Sequence, residues 1–127
     1  MITFEDIKND EEIKILIEDT ERQLMELGYT EHGYRHLGIV SSTSERILKE
    51  LGYPARTCEL AKVAGYMHDI GNAINREDHA HNGAILAYDI LKRKGMSISE
   101  AAEIMMAIGN HDEKTGTAVS AISAALI

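Results

Sequence analysis

Six histidines and one adjacent aspartate carry most of the chemical information in this 127-residue sequence. His68 and Asp69 follow the apolar stretch VAGYM, where we expect a buried helix to end. A buried carboxylate there faces the negative end of the helix dipole and is costly if it stays unpaired. A metal cation beside a neutral imidazole would remove both problems. For this dipeptide alone, the alternative is an ordinary His–Asp pair without metal.

Three further histidines fall where helical periodicity turns them toward the interior. His36 lies on the apolar side of a predicted helix, and His111 follows the apolar stripe of another. His79 begins a third helix, with Gly83 one turn later leaving open space on the same face. Four separate helices would thus each supply one imidazole, next to the single carboxylate of Asp69. This arrangement predicts a metal site.

Two histidines are weaker candidates for that site. His32 lies one turn before His36, but in the first turn of its helix, where fraying is expected. His81 is about 200° around the helix from His79, so the two do not easily serve one site.

The one cysteine, Cys58, is expected to be a core thiol. Imidazole and carboxylate ligands without thiolate suit Fe, Mn, Zn, Ni or Co.

The hydrophobic pattern predicts that helices hold all of these residues. Apolar residues recur at helical spacing throughout, and no segment alternates as a strand does. The predicted helices cover residues 10–27, 31–51, 54–70, 79–94, 98–111 and 118–127, and a short turn or helix is expected at 2–7. The sequence therefore predicts a compact all-α bundle of about five to seven helices.

Caps and apolar stripes give these helices specific boundaries and faces. Asp10 and Thr117 are expected N-caps, and Ser97 with Glu100 forms a predicted capping box. Pro54 suits the first position of its helix. The inner stripe of 31–51 is predicted as His36, Val40, Thr43 or Ser44, Ile47 and Leu51, and that of 79–94 as Ile85, Leu86, Ile90 and Leu91.

Composition limits the classes of protein and partner. The 127 residues suit one domain, and the 44% hydrophobic content suits a folded chain. The net charge of -8 argues against a nucleic-acid partner and leaves room for bound cations. No stretch approaches the roughly 18 apolar residues of a membrane span, and the acidic N-terminus is not a secretory signal. A single cysteine fits a reducing cytoplasm. A homo-oligomer is compatible with all of this.

Four ordered motifs resemble those of the HD-domain superfamily of metal-dependent phosphohydrolases. They are YRHxxxV at His36, MHDIG at His68, HxxxGA at His79 and IGNH at His111. The resemblance covers about residues 30–127 and implies an all-α helical bundle. A lone His–Asp dipeptide would be uninformative, whereas four motifs in the right order are a specific signal.

The resemblance also implies a ligand set. His36, His68 and Asp69 would hold a first divalent metal, and Asp69 would bridge to a second metal held by His79 and His111. One or two ions per chain are expected, with Asp69 and His68 as catalytic residues. The family's last aspartate ligand has no counterpart here. The apolar ending at Ile127 is either a buried terminal helix or, as we favour, the end of a truncated chain.

The implied activity is hydrolysis of a small phosphoester, with a nucleotide as the expected substrate. A divalent cation would activate water for attack on phosphorus. Arg35, Arg76, Lys62 and Lys114 are the basic residues near these motifs, and Arg35, Arg76 and Lys114 are the expected phosphate contacts. Asp112 is a candidate for handling a proton. No GYP motif follows His111, so hydrolysis of cyclic di-GMP is not implied. The alternatives are a catalytically silent domain that senses a nucleotide and, less favoured, a dinuclear iron oxygenase.

Overall fold

A computed structural model describes residues 1–28, 33–112, 116, 118 and 120–127. Within these residues the chain forms seven α-helices and no strand, which confirms the predicted all-α bundle. The helices are α1 (Phe4–Lys8), α2 (Glu11–Glu26), α3 (Tyr34–Glu50), α4 (Ala55–Met67), α5 (His79–Arg93), α6 (Ile98–Gly109) and α7 (Ala121–Leu126), with a 3₁₀ turn at Ile70–Ala73. None of these helices combines the length and apolarity that crossing a membrane requires.

The N-terminal half follows its predicted boundaries. The Asp10 carboxylate accepts a hydrogen bond from the Ile13 backbone N–H at 3.0 Å and so caps α2. Gly28 follows the end of α2 with a φ of +87°, a left-handed conformation that glycine adopts without steric cost. Pro54 precedes α4 as its N-cap residue, one position earlier than predicted.

Two helix ends differ from the prediction. The predicted helix 54–70 ends at Met67, with His68 as its C-cap residue and Asp69 beyond it, because the chain tightens there into the 3₁₀ turn. The last helix begins at Ala121, where the Ser120 side chain accepts a hydrogen bond from the Ser123 N–H at 3.0 Å. The predicted cap, Thr117, lies outside the described residues.

The buried face of α3 is one residue further round the helix than predicted. Leu37, Ser41, Ser44 and Leu48 are buried, whereas the predicted Ile47 and Leu51 are exposed. The cause is a close crossing with α4, since a Cβ on Gly65 would lie 2.8 Å from the Cα of Ser41. The Ser41 hydroxyl donates to the Lys62 carbonyl across this crossing at 2.8 Å. Two small residues thus set the contact that apolar periodicity alone had misplaced.

Helix α5 packs against α6 mainly through small residues. Gly83, Ala84 and Ala87 are buried together with Ile90 and Leu91. Ile85, predicted to point inward, is 69% exposed. Glycine and alanine on the buried face let the two helices approach closely, and Ile85 lies outside that face.

The predicted capping box of α6 is only half formed. The Ser97 hydroxyl accepts a hydrogen bond from the Glu100 N–H at 3.2 Å, but the Glu100 carboxylate pairs with the Arg56 guanidinium at 2.7 and 2.9 Å. Arg56 also donates to Glu59 and to the Ile2 carbonyl. This network joins α4 to α6 and to the N-terminal residues.

We expect Glu100→Gln to lower the free energy of unfolding by about 1–2 kcal/mol at pH 7. Hydrogen bonds from Arg56 hold the pKa of Glu100 below its usual value of 4.5. A carboxyl pKa lowered in the folded state stabilises the fold above that value, and the contribution is lost as the pH falls through the folded-state pKa. Urea denaturation should therefore show the variant and the parent converging below about pH 4. Glu103→Gln, on the same helix, is the matched control and should change little at either pH.

Candidate metal centre

Four elements bring their ends together around Asp69. The end of α4 supplies His68, and Asp69 follows it directly. The first residue of α5 is His79, and His111 lies two residues beyond the end of α6. His36 is in the first turn of α3. Helix ends rather than helix faces thus supply most of these groups.

A contact between two glycines brings α5 against the turn that follows Asp69. A Cβ on Gly71 would lie 1.9 Å from the His79 carbonyl oxygen and 2.5 Å from the Gly83 nitrogen. A Cβ on Gly83 would lie 3.0 Å from the Gly71 nitrogen. The space predicted beside Gly83 is therefore filled by the backbone of Gly71. This contact sets the position of His79 relative to Asp69.

The Asp69 carboxylate faces two different pairs of histidines. Its Oδ2 lies 3.5 Å from His36 Nε2 and 3.3 Å from His68 Nε2. Its Oδ1 lies 3.7 Å from His79 Nε2 and 3.9 Å from His111 Nε2. Each oxygen with its two imidazoles forms a group that could hold a metal ion. The five residues predicted as ligands are thus brought together, in two triads that share Asp69.

Three of the imidazoles are oriented in the same way. The Nδ1 of His68 lies 2.6 Å from the Gly65 carbonyl, that of His79 lies 3.2 Å from the Arg76 carbonyl, and that of His111 lies 2.6 Å from the Ile108 carbonyl. A carbonyl only accepts, so each Nδ1 donates its proton to the oxygen three residues earlier. Two of these oxygens belong to the last turns of α4 and α6, where carbonyls lack the usual helical partner four residues later. In the neutral form of each ring, this leaves the lone pair of Nε2 directed at the centre.

The donor set fits a cation. His79 Nε2 and His111 Nε2 are 3.2 Å apart, and His36 Nε2 and His68 Nε2 are 3.4 Å apart. Facing lone pairs repel each other unless a proton or a cation lies between them. Ligand atoms about 2.1 Å from a tetrahedral zinc would be about 3.4 Å apart, and the observed separations are close to this. The residues present therefore suit a transition metal.

Burial keeps two of the imidazoles in the form that binds a metal. Burial and the nearby charge of His68 lower the pKa of His111 to about 4. Burial and the charge of Arg76 lower the pKa of His79. For His68, burial lowers the pKa, but the Asp69 carboxylate outweighs it and the net direction is upward. His79 and His111 are therefore neutral at physiological pH, with Nε2 free of a proton.

The residues predicted to contact phosphate do not all lie beside the metal centre, as the predicted ligands do. The Arg76 guanidinium donates to Asn72 Oδ1 at 3.2 Å, and Asn72 donates to the Asp69 carbonyl at 2.9 Å, which places Arg76 beside the centre. Arg35 is exposed on α3 next to His36. Lys62 lies 3.8 Å from Glu45, away from the centre. Lys114 lies outside the described residues.

Several candidate residues near these side chains are not part of the two triads. His81 is half exposed, with Nδ1 2.6 Å from Asp78 Oδ1, and takes no part in the two triads. His32 lies outside the described residues, and Asp112 is half-buried beside His111. Sequence reasoning missed Asn72, which is 2% exposed. Its signal was a carboxamide directly after Ile70 and Gly71, since a buried polar side chain there must have a hydrogen-bond partner.

Comparisons with known proteins agree with the geometry. The HD domain family matches residues 33–124. An uncharacterized protein of Methanocaldococcus jannaschii is 28% identical over 108 residues, and the match covers 68% of this chain and 42% of that protein. Ribonuclease Y of Lawsonia intracellularis is 33% identical over 95 residues, covering 75% of this chain and 17% of the ribonuclease. The chain thus spans less than half the length of either relative. No solved structure gives a significant match.

The family match contains all five residues of the two triads, from His36 to His111. It covers well over half of the chain and confirms the resemblance inferred from the four motifs. The helices found here also agree with the all-α fold that the resemblance implies. The chain belongs to the HD superfamily of metal-dependent phosphohydrolases.

Proposed function

We propose that this chain hydrolyses a small phosphoester with the help of one or two divalent metal ions, and that a nucleotide is the substrate class. The observation that carries the proposal is the Asp69 carboxylate, with one oxygen directed at each histidine pair. Bound there, divalent cations would activate water and neutralise charge on the phosphate oxygens. Fe, Mn, Ni, Co and Zn all suit imidazole and carboxylate donors.

The chain's own residues would then hold the reacting groups. His36 and His68 would bind one ion, His79 and His111 the other, and Asp69 both. Asp69 is almost fully buried, so its charge is screened little by water and acts strongly on whatever lies between the triads. Together with His68, it is the residue we propose as catalytic.

Positive side chains near the centre would receive the phosphate. Arg76 is close enough for its charge to lower the pKa of His79, and its guanidinium is anchored by Asn72. Arg35 adds a second, exposed guanidinium on the His36 side, and Lys114 is the third predicted contact. The similarity to a ribonuclease is compatible with a phosphoester as the bond that is cleaved. The net charge of -8 favours a small anion over a nucleic acid as the substrate.

The test begins with elemental analysis of the purified protein, before and after reconstitution with Mn, Fe, Ni, Co and Zn. We expect one or two transition-metal ions per chain. The loaded protein is then assayed for phosphate or pyrophosphate release from nucleoside mono-, di- and triphosphates, with single-stranded RNA as a separate arm. Turnover of a nucleotide that stops on chelation and returns with metal supports the proposal.

Other results would contradict it in distinguishable ways. Tight nucleotide binding without turnover by the metal-loaded protein would favour the sensing alternative. Oxygen consumption by the iron-loaded protein, with no phosphate release, would favour the oxygenase. RNA cleavage without nucleotide hydrolysis would overturn the substrate class. A protein that takes up no metal under any condition would overturn the function itself.

A further inference from the structure

A cavity lies on the side of α3 and α4 away from the metal centre. It has a volume of about 580 Å³ and opens between α1, α2, α3 and α4. Binding sites for small ligands usually have volumes of about 300–1,000 Å³. Its size therefore suits a ligand of nucleotide dimensions.

Helical geometry separates this cavity from the metal centre. On α3 it is lined by Tyr34 and Gly38, which lie two residues before and after His36 and so about 160° around the helix from it. On α4 it is lined by Tyr66, two residues before His68. Helix α3 therefore presents one face to His36 and the opposite face to the cavity, whereas Tyr66 of α4 lines both the cavity and a small pocket beside Asp69.

Three lysines from three different helices surround the cavity. Lys8 is on α1, Lys14 on α2 and Lys62 on α4, and Glu5 is the carboxylate that lines the cavity with them. Neither Lys8 nor Lys14 forms an ion pair with a residue in the described part of the chain. This concentration of positive charge is unusual in a protein whose net charge is -8. An anion in the cavity would relieve the repulsion between these ammonium groups.

Aromatic rings form the apolar wall beside the lysines. The rings of Phe4 and Tyr66 meet edge to face with centroids 5.5 Å apart. The Lys62 ammonium lies 4.3 Å from the centroid of the Phe4 ring, and its Glu45 partner is 3.8 Å away. A cation thus lies over the face of one of the two rings. That pairing suits a ligand with both an anionic end and a planar or apolar end.

We propose that this cavity is a binding site for a small phosphorylated molecule, distinct from the metal centre. Its phosphate would lie among Lys8, Lys14 and Lys62, and its planar or apolar portion against Phe4 and Tyr66. The site does not depend on the proposed hydrolysis, because it shares no side chain with the two triads.

The probe is the phosphonate analogue of adenosine monophosphate, which has no ester bond at phosphorus to hydrolyse. Its binding is measured by titration calorimetry on the metal-loaded protein and on Asp69→Asn, where the centre is disabled. We expect Asp69→Asn to bind one molecule per chain with the parent's affinity for this site. The double variant Lys8→Gln, Lys14→Gln should bind about tenfold more weakly or worse. The matched control, Lys49→Gln with Lys92→Gln, removes the same charge elsewhere and should bind as the parent does.

Amide chemical shifts locate the ligand independently of any variant. Gly38 lines the cavity and Gly83 lies beside the centre, so a probe in the cavity should shift the Gly38 amide and leave that of Gly83 unchanged. Three results would overturn the proposal: no binding by Asp69→Asn, equal losses in the two lysine pairs, or shifts at Gly83 alone. Hydrolysis by the parent protein could persist whichever of these results is obtained, so the failure of this site is distinguishable from failure of the proposed function.

Discussion

Asp69→Asn is expected to remove bound metal from both triads while leaving the helices in place. The amide has the same shape as the carboxylate but no charge, so neither triad keeps its anionic ligand. Mutating a residue that only hydrogen-bonds to a metal ligand lowers the metal affinity about 10–100-fold. Losing a ligand that both triads share should lower it at least about a hundredfold. Any metal-dependent hydrolysis should fall with it.

Elemental analysis after dialysis, together with far-ultraviolet circular dichroism, measures both expectations. The metal content should drop to background, and the helical signal should remain within about a tenth of the parent's. Asp89→Asn on α5 is the control, since this carboxylate is 63% exposed and pairs only at the surface with Arg93. Loss of helicity with metal retained would contradict the role assigned to Asp69.

Gly71→Ala is expected to be among the most destabilising single-methyl changes in this chain. The new Cβ would meet the His79 carbonyl at 1.9 Å and the Gly83 nitrogen at 2.5 Å. These are backbone atoms of α5 and cannot rotate away, so the start of that helix must move. Overpacking of this kind costs about 1–3 kcal/mol or more. Moving α5 also carries His79 away from Asp69, so the second triad should lose its metal as well.

Gly38→Ala, in α3, is expected to stabilise the fold instead. A Cβ there meets nothing within 4 Å, so alanine should raise the free energy of unfolding by about 0.5–1 kcal/mol. Urea denaturation of both variants, with metal content measured in parallel, tests the pair. Equal stability in Gly71→Ala and the parent, or full metal content in Gly71→Ala, would show that α5 is not held as described.

The ligand residues could be predicted from the sequence because helical periodicity and short sequence motifs are local properties of the chain. His36, His79 and His111 could each be placed near a helix end or stripe without knowledge of the packing. Which oxygen of Asp69 faces which pair depends on how four helix ends meet, and no spacing in the chain encodes that. The proposed ligand roles stay predictions, although the structure does place these side chains together.

The misplaced helix faces share one physical origin, which is close backbone contact at small residues. Periodicity assigned Ile47 to the interior of α3, but the crossing at Ser41 and Gly65 rotates the buried face by one residue. The predicted capping box failed at Glu100 because Arg56, distant in sequence, competes for its carboxylate. A hydrophobic pattern shows which residues are apolar. It does not show where two backbone segments come so close that only a small residue fits.

The two triads differ in their access to water. The His36 side chain is 31% exposed, whereas those of His68, His79 and His111 are between 8% and 11% exposed. Ligands that solvent can reach exchange faster than ligands shielded from it, so an ion beside His36 would equilibrate quickly with its surroundings. An ion between His79 and His111 would leave slowly and only through local opening of the bundle. With both triads occupied as proposed, the shielded triad would hold its ion longer, and hydrolysis would follow the free metal concentration that fills the triad at His36.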